Sequence, residues 1–357
     1  MQSSAVGKLT RSKRLICQWA TGCGKTGVVL KFLKSYPCKC LILVPEQNNI
    51  QNWLDEFKKF DVSTDNVTII CYASFHKYAY SHWNLLVFDE VPHIDTDKRT
   101  AIAKTVTADF VLALGAVIDE DERLALESVY GKFERSLITM SMAMRLNMLP
   151  HPEIIIMHMK LDNTVRDRYV NGRYCTMREQ YEHVQAKVTK AVNEFNARSN
   201  TFNKQKMLRA GNERKRLLGQ FKDEAIAMIC NKLDSKKKRY LCFCSSIKQA
   251  EMLGGKRAFT SKTPASAKLL EKFNNHEIDS LFVVGKLIEG QNLNDIECGV
   301  IGQLGGTPRI TIQSIGRIMR SENPVIYLPV FDGTKDDSFL STITYSIPDY
   351  CIQHYNL

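Results

Sequence analysis

The sequence predicts an α/β protein with two parallel-sheet domains and a basic helical segment between them. Three observations carry this reading. From residue 14 to about 150, short apolar runs alternate with amphipathic stretches. The same alternation resumes at about residue 238. Between them, from about 160 to 235, strand-like runs vanish, Pro is absent, and Lys, Arg, Glu, Gln and Ala dominate. Strand and helix in alternation imply a parallel sheet covered on both faces. A polar, Pro-free stretch rich in helix formers implies helical hairpins. The division is therefore 1–150, 151–237 and 238–357.

In chain order, Leu15–Trp19, Cys40–Val44, Val67–Cys71, Leu85–Phe88 and Phe110–Leu114 each read as a buried strand. Helical patterns lie between them, over Thr26–Leu33 and Asn48–Phe60. In the last third, Tyr240–Cys244, Arg257–Phe259, Leu281–Val284, Gly299–Ile301 and Val325–Val330 read as the strands of a second sheet.

Charge follows the same division. The 357 residues carry a formal +11, from 49 Lys+Arg against 38 Asp+Glu. Lys160 to Tyr240 hold 20 basic and 9 acidic residues, which is the whole surplus, so the two flanks are near-neutral. Such a segment either faces a polyanion or solubilises an exposed helical insert.

Composition excludes several classes. At 44% hydrophobic and 24% charged residues, the chain is neither disordered nor collagen-like. Eleven scattered cysteines without a C-x-x-C pair make neither a disulfide framework nor a recognisable zinc site. Cys38/Cys40 and Cys242/Cys244 are expected to be core thiols of a reducing, cytoplasmic compartment. No apolar run reaches the ~18–20 residues of a membrane span. Lys8, Arg11, Lys13 and Arg14 before Leu15–Cys17 faintly echo a signal peptide, but Gln18 interrupts the apolar stretch, and export is not expected.

The strongest local signal is Ala20-Thr21-Gly22-Cys23-Gly24-Lys25-Thr26, after a strand and opening a helix. A phosphate-binding loop requires that context. Gly22 and Gly24 let backbone N–H groups curl around phosphate oxygens, and the helix N-terminus adds positive potential. Lys25 would reach the terminal phosphates of ATP, and the Thr26 hydroxyl would ligate Mg²⁺. The first Gly of the general pattern is absent, since Trp19 stands there.

About sixty residues on, Leu85–Phe88 ends in Asp89-Glu90. Alone, such a pair is a solvated strand cap. Downstream of a phosphate loop, Asp89 becomes the Mg²⁺-side carboxylate and Glu90 the general base. His93, three residues later, is either structural or a sensor of the nucleotide. Far downstream, Gln313-Ser314-Ile315-Gly316-Arg317-Ile318-Met319-Arg320 puts two arginines three apart on one helical face. They are either solvated or grip a triphosphate as arginine fingers.

Read together, these segments resemble a superfamily-two helicase of the DExH kind, phage-type and related to DNA repair helicases. Ala20–Thr26 resembles motif I. Leu43–Glu46, continuing through Gln51–Trp53, resembles motif Ia, and Cys71–Phe75 the Thr-Tyr-x-Ser segment. Asp89–His93 is similar to motif II, Leu112–Ala116 to motif III, Tyr240–Ser245 to motif IV, Gly285–Leu293 to motif V and Gln313–Arg320 to motif VI. Two departures stand out. Gly115-Ala116-Val117 lacks the hydroxyls of motif III that help couple hydrolysis to strand movement. Ser314 stands where motif VI often has Arg.

The resemblance implies two RecA-like lobes and an ATP hydrolase whose catalytic residues are Lys25, Asp89, Glu90, Arg317 and Arg320. Thr21, Gly22, Cys23, Gly24, Lys25 and Thr26 would bind the nucleotide, with Gly290, Asn292 and Gln313 from the second lobe. Gln2 is either a remnant of the family's adenine-reading segment or part of a disordered terminus. Pro45, Glu46, Tyr72, Ser74, Ser261 and Lys262 would touch nucleic acid, mainly at phosphates. The insert adds Arg209, Arg214, Lys215 and Arg216. The expected partner is single-stranded or tailed duplex nucleic acid, DNA before RNA, acted on by a monomer that needs a protein partner for specificity. An annealing or remodelling factor with weak ATP use, and a small-molecule P-loop kinase, are the competing readings. The second α/β domain argues against the kinase.

Overall fold

The computed structural model describes residues 1–91, 97–170, 172–263, 266–284, 293, 295–304, 315–316, 318–319, 321–344 and 347–357, without the side chains of 97–99 and 342. The chain divides into two compact units, one spanning Met1–Leu149 and the other starting at Pro150.

In the first unit, helix α1 (Gln2–Ser12) precedes β1 (Arg14–Trp19), α2 (Thr26–Ser35), β2 (Cys40–Val44), α3 (Gln47–Lys59), β3 (Val67–Cys71), β4 (His82–Asp89), α4 (Asp97–Ala103), β5 (Thr107–Gly115), α5 (Glu120–Tyr130), β6 (Glu134–Ile138) and α6 (Met140–Arg145). The six strands form one sheet in the order β3-β2-β4-β5-β1-β6. Every pairing is parallel. All five residues of β2 are buried, as a central parallel strand requires. Leu41, Leu43, Leu86 and Phe88 join Phe75, Val111 and Leu126 in one core cluster. Helix α2 buries Val28, Val29, Leu30, Phe32 and Leu33, a stripe at helical spacing.

The second unit begins with β7 (Glu153–Met159), then a hairpin of β8 (Arg168–Val170) and β9 (Arg173–Cys175). Three helices follow: α7 (Met177–Ala197), α8 (Thr201–Phe221) and α9 (Asp223–Ser235). Next come β10 (Tyr240–Cys244), α10 (Ile247–Gly254), β11 (Ala258–Phe259), α11 (Ser266–Asn274), β12 (Ser280–Val284), β13 (Cys298–Ile301), β14 (Val325–Phe331), α12 (Lys335–Thr344) and β15 (Ile352–Asn356). Seven strands form a second all-parallel sheet in the order β11-β12-β10-β13-β14-β7-β15.

Two expectations change here. The stretch 151–237 is not helical throughout. Glu153–Met159 pairs in register with Val325–Phe331 inside the second sheet. Strand-like structure also persists after residue 160, as the β8–β9 hairpin. The helices behave as expected from Met177 on. Thr176 accepts from the Glu179 N–H at 3.1 Å and Glu179 returns the bond to the Thr176 N–H at 2.9 Å, a capping box that starts α7. Tyr181, Val184, Leu217, Leu218 and Phe221 then pack with Met159, Leu161 and Phe331 at the ends of β7 and β14. The insert is thus bolted to the second sheet by its own apolar stripe. Lys222 and Asp336 add a fully buried ion pair at 2.7 Å between the start of α9 and α12.

All eleven cysteines are free thiols, nine of them buried. Cys242 and Cys244 lie in the core of β10, 3.9 Å apart at sulfur. Cys38 departs from the expected pair of core thiols: it precedes β2 and is half-buried. Among the described residues, no helix is long and apolar enough to cross a membrane.

Candidate nucleotide site of the first unit

The site is built by the order of strands. β5 lies between β1 and β4, with Gly115 beside Gln18 and Leu114 beside Asp89. The end of β1, which leads into the loop Ala20–Thr26, therefore sits one strand away from Asp89. Both lie at the carboxyl edge of a parallel sheet, where open α/β folds bind ligands. Gly115 and Ala116, the altered third motif, fall between them.

The loop is pinned at its base. The Ala20 N–H donates to Ile138 O at 2.8 Å and the Cys23 N–H to Ala20 O at 3.2 Å. Gly22 and Gly24 have φ of 89° and 73°, a region open to glycine without strain. Helix α2 has no side-chain cap at its N-terminus. The N–H groups of Gly24, Lys25 and Thr26 find no acceptor among the described residues. Orphan donors at a helix N-terminus are the usual seat of a phosphate. Lys25 Nζ donates to Trp19 O at 3.2 Å, so it is folded back over the loop. Cys23 is buried, and burial pushes its thiol up, which leaves it packing rather than reactive.

Asp89 is held at two points. The Trp53 indole donates to its Oδ2 at 2.9 Å, and the Tyr72 hydroxyl donates to its carbonyl at 2.9 Å. Burial pushes the Asp89 carboxyl up to about 6, and the neighbouring Glu90 adds to the rise. Trp53 and Lys25 pull it back down. Glu90 has φ of 52°, a left-handed conformation for a non-glycine residue at the strand tip. Such strain costs on the order of 1–3 kcal/mol and clusters at functional sites.

Gln2 belongs to an ordered helix, not a disordered terminus. Its Nε2 donates to Gly24 O at 3.0 Å. A Cβ at Gly27 would lie 2.3 Å from that same nitrogen, and one at Gly24 2.8 Å. These glycines make room for Gln2 against the loop.

The other expected positions divide. Glu46 is exposed and Pro45 and Ser74 are half-buried in the first unit, while Ser261 and Lys262 are exposed in the second. Tyr72 is only 2% exposed, and its hydroxyl is committed to Asp89. It fixes the backbone that carries the carboxylate and is almost wholly buried. Arg209 and Arg216 are exposed, whereas Arg214 and Lys215 are half-buried. Arg214 turns to Gln185 Oε1 at 2.8 Å, and burial lowers the pKa of both Arg214 and Lys215. The four do not form one exposed patch. His93, Gly290, Asn292, Gln313, Arg317 and Arg320 lie outside the described residues. The role of Trp53 was not evident from the sequence. Its signal was there all the same: a lone Trp ending the Gln51–Trp53 segment.

Three comparisons bear on this geometry. The family described as type III restriction enzyme, res subunit, matches residues 1–120, which include the loop, Trp53, Asp89 and Glu90. The DNA 3'-5' translocase XPB2 of Sulfurisphaera tokodaii is 30% identical over 135 residues, covering 34% of this chain. The chain spans 31% of that relative's length. Among solved structures, the Pyrococcus furiosus Hef helicase domain has a TM-score of 0.57 at 13% identity, covering 96% of this chain and 97% of that one. S. cerevisiae Dbp5 bound to RNA and ADP BeF3 has a TM-score of 0.59 at 15% identity, covering 100% and 88%. At such identities the structural likeness concerns the fold. The two parallel-sheet α/β units of this chain resemble in fold the lobes of those helicase structures.

Proposed function

We propose that the chain is an ATP hydrolase that moves along, or unwinds, nucleic acid, with DNA favoured over RNA. The observation that carries this reading is the pairing of an uncapped helix N-terminus at Gly24–Thr26 with a half-buried Asp89-Glu90 tip one strand away. The match to an XPB2-type DNA translocase over part of the chain favours DNA.

In this reading the free N–H groups of Gly24, Lys25 and Thr26 bind the nucleotide phosphates. Lys25 leaves Trp19 O and pairs with the terminal phosphates. Gln2 binds the base from its seat beside Gly24. Glu90 takes the proton of the attacking water. The motif resemblance assigns charge stabilisation to Arg317 and Arg320, and nucleotide binding to Gly290, Asn292 and Gln313. Thr26 and Asp89 would hold Mg²⁺, which supplies Lewis-acid polarisation of the phosphate when bound. The donor set fits such an ion. The Asp89 carboxyl has a raised pKa, stands beside a second carboxyl, and is opposed by the Trp53 hydrogen bond and by Lys25, its one cationic neighbour among the causes of the shift. Pro45, Glu46, Ser74 and Ser261 contact the nucleic acid, and Lys262, Arg209 and Arg216 pair with its phosphates.

A second reading is favoured by Gly115-Ala116-Val117, where the coupling hydroxyls are lost. It makes the chain an annealing or remodelling factor that hydrolyses ATP without efficient unwinding. Strand displacement from a tailed duplex, run beside annealing of complementary strands, separates the two. ATP-dependent displacement abolished by Lys25→Ala supports the first reading. Annealing without displacement supports the second.

A further inference from the structure

The β8–β9 hairpin is the feature that nucleotide chemistry leaves unused. Tyr169 and Tyr174 stand directly opposite each other across its antiparallel pair. They are 67% and 62% exposed, with ring centroids 5.3 Å apart at 63°. Two tyrosines so exposed on one face gain little from the fold. The other face anchors the hairpin. Cys175 is buried, and the Arg168 guanidinium lies over the Phe221 ring at 4.5 Å. Arg166 ties the base to Glu179 at 2.7 Å. The tyrosines are therefore presented by a fixed strand pair.

The surroundings are cationic. A groove of about 420 Å³ between α7 and α8 reaches Val170, on the face of the hairpin opposite to the tyrosines. His183, Lys187, Arg209 and Arg216 line it. Lys187 is paired with Glu213 at 3.0 Å. Arg209 and Arg216, two turns apart on one face of α8, have no acidic partner among the described residues. Arg173, which pairs with Val170 across the hairpin, is exposed as well. Exposed aromatic rings on one face of a hairpin whose other face borders a positive groove match one ligand chemistry, a single strand with bases to stack and phosphates to neutralise.

The geometry points to the Tyr169–Tyr174 hairpin as a base-stacking platform for single-stranded nucleic acid, with the strand's phosphates running along the Arg209–Arg216 groove. This rests on the nucleic-acid reading above and adds to it a site on the insert that contacts bases rather than phosphates alone. The test measures binding of the full chain to a labelled single-stranded oligonucleotide and to an abasic one of equal length. Tyr169→Ala/Tyr174→Ala is expected to weaken binding of the base-bearing strand roughly tenfold or more, given what base–aromatic contacts contribute. It leaves abasic binding unchanged. Tyr169→Phe/Tyr174→Phe keeps the rings and is expected to bind as wild type. Equal affinity of the alanine variant for the base-bearing strand overturns the platform while the wider reading stands, and points to a protein partner for the hairpin. An equal loss on both strands overturns it too, since the rings then act through the fold. If the wild-type chain binds neither strand, the functional reading falls and the platform with it.

Discussion

The Trp53 indole N–H lies 2.9 Å from Asp89 Oδ2, a hydrogen bond between helix α3 and the tip of β4. This bond is one of the two main influences that hold down a carboxyl which burial pushes up to about 6. Trp53→Phe keeps an aromatic side chain in the core but removes the donor. The Asp89 pKa should then rise by about half a unit to one unit, since a hydrogen bond of this kind is worth ~1 kcal/mol. The acid limb of the rate of ATP hydrolysis against pH moves up by the same amount. An unmoved acid limb would separate Trp53 from the chemistry of Asp89.

Asp89 also predicts an unusual pH dependence of stability. Its folded-state pKa is raised above the unfolded value of 3.8 to about 6. The folded form therefore binds the proton more tightly than the unfolded form. That contribution is fully present below about pH 4 and is lost as pH rises through about 6. Asp89→Asn should stabilise the protein at pH 7–8, on the order of 1–3 kcal/mol, and by little near pH 4. Chemical denaturation at both pH values checks the sign.

Gln2 is held between Gly24 and Gly27 by close packing and one hydrogen bond. Gln2→Ala leaves α1 anchored by Ala5 and Leu9. It should raise KM for ATP several-fold to about tenfold, the cost of ~1–1.4 kcal/mol, and reduce preference for ATP over GTP. Steady-state hydrolysis of the two nucleotides measures both effects. An unchanged ratio of the two nucleotides would leave Gln2 as a support of the loop.

The buried Lys222–Asp336 pair joins the insert to the second sheet. Lys222→Met leaves Asp336 buried with only the Phe331 N–H, at 3.1 Å, among its described hydrogen-bond donors to this carboxylate's Oδ2. Breaking one half of such a pair costs ~3–5 kcal/mol. The double variant Lys222→Met/Asp336→Leu should recover much of that loss. Denaturation of wild type, single and double variants completes the cycle.

Arg209 and Arg216 are exposed on α8, while Arg214 is bonded to Gln185. Arg209→Gln/Arg216→Gln should weaken nucleic-acid binding and reduce the slope of log affinity against log salt by roughly 1.4, at about 0.7 per phosphate on a single strand. Arg214→Gln should act mainly on stability, leaving the salt slope in place.

How much of this could be read from the sequence follows from burial. The central strands of both sheets were legible because a strand covered on both faces is one continuous apolar run, as in Cys40–Val44 and Tyr240–Cys244. Two of the four edge strands were not. Glu134–Ile138 and Ile352–Asn356 each lie at the end of a sheet and alternate or expose their residues, so their apolar signal is diluted. Glu153–Met159 is apolar enough, but it lies at the start of a segment whose composition reads as helical. The β8–β9 hairpin has strands of three residues, and its one clear mark is the Asn171-Gly172 pair in the sequence. At the site, loop and carboxylates were legible because local chain order carries them. The Trp53–Asp89 bond spans 36 residues and arises only when α3 packs beside β4.

The central claim is that nucleotide hydrolysis at Lys25, Asp89 and Glu90 is coupled to a nucleic-acid strand. The most direct measurement is the rate of ATP hydrolysis by the full chain with Mg²⁺, alone and with single- and double-stranded DNA and RNA. The account predicts a rate that rises at least several-fold with a single strand, more with DNA than RNA, and that disappears in Lys25→Ala. Robust wild-type turnover, indifferent to every polynucleotide and lost in Lys25→Ala, would contradict it.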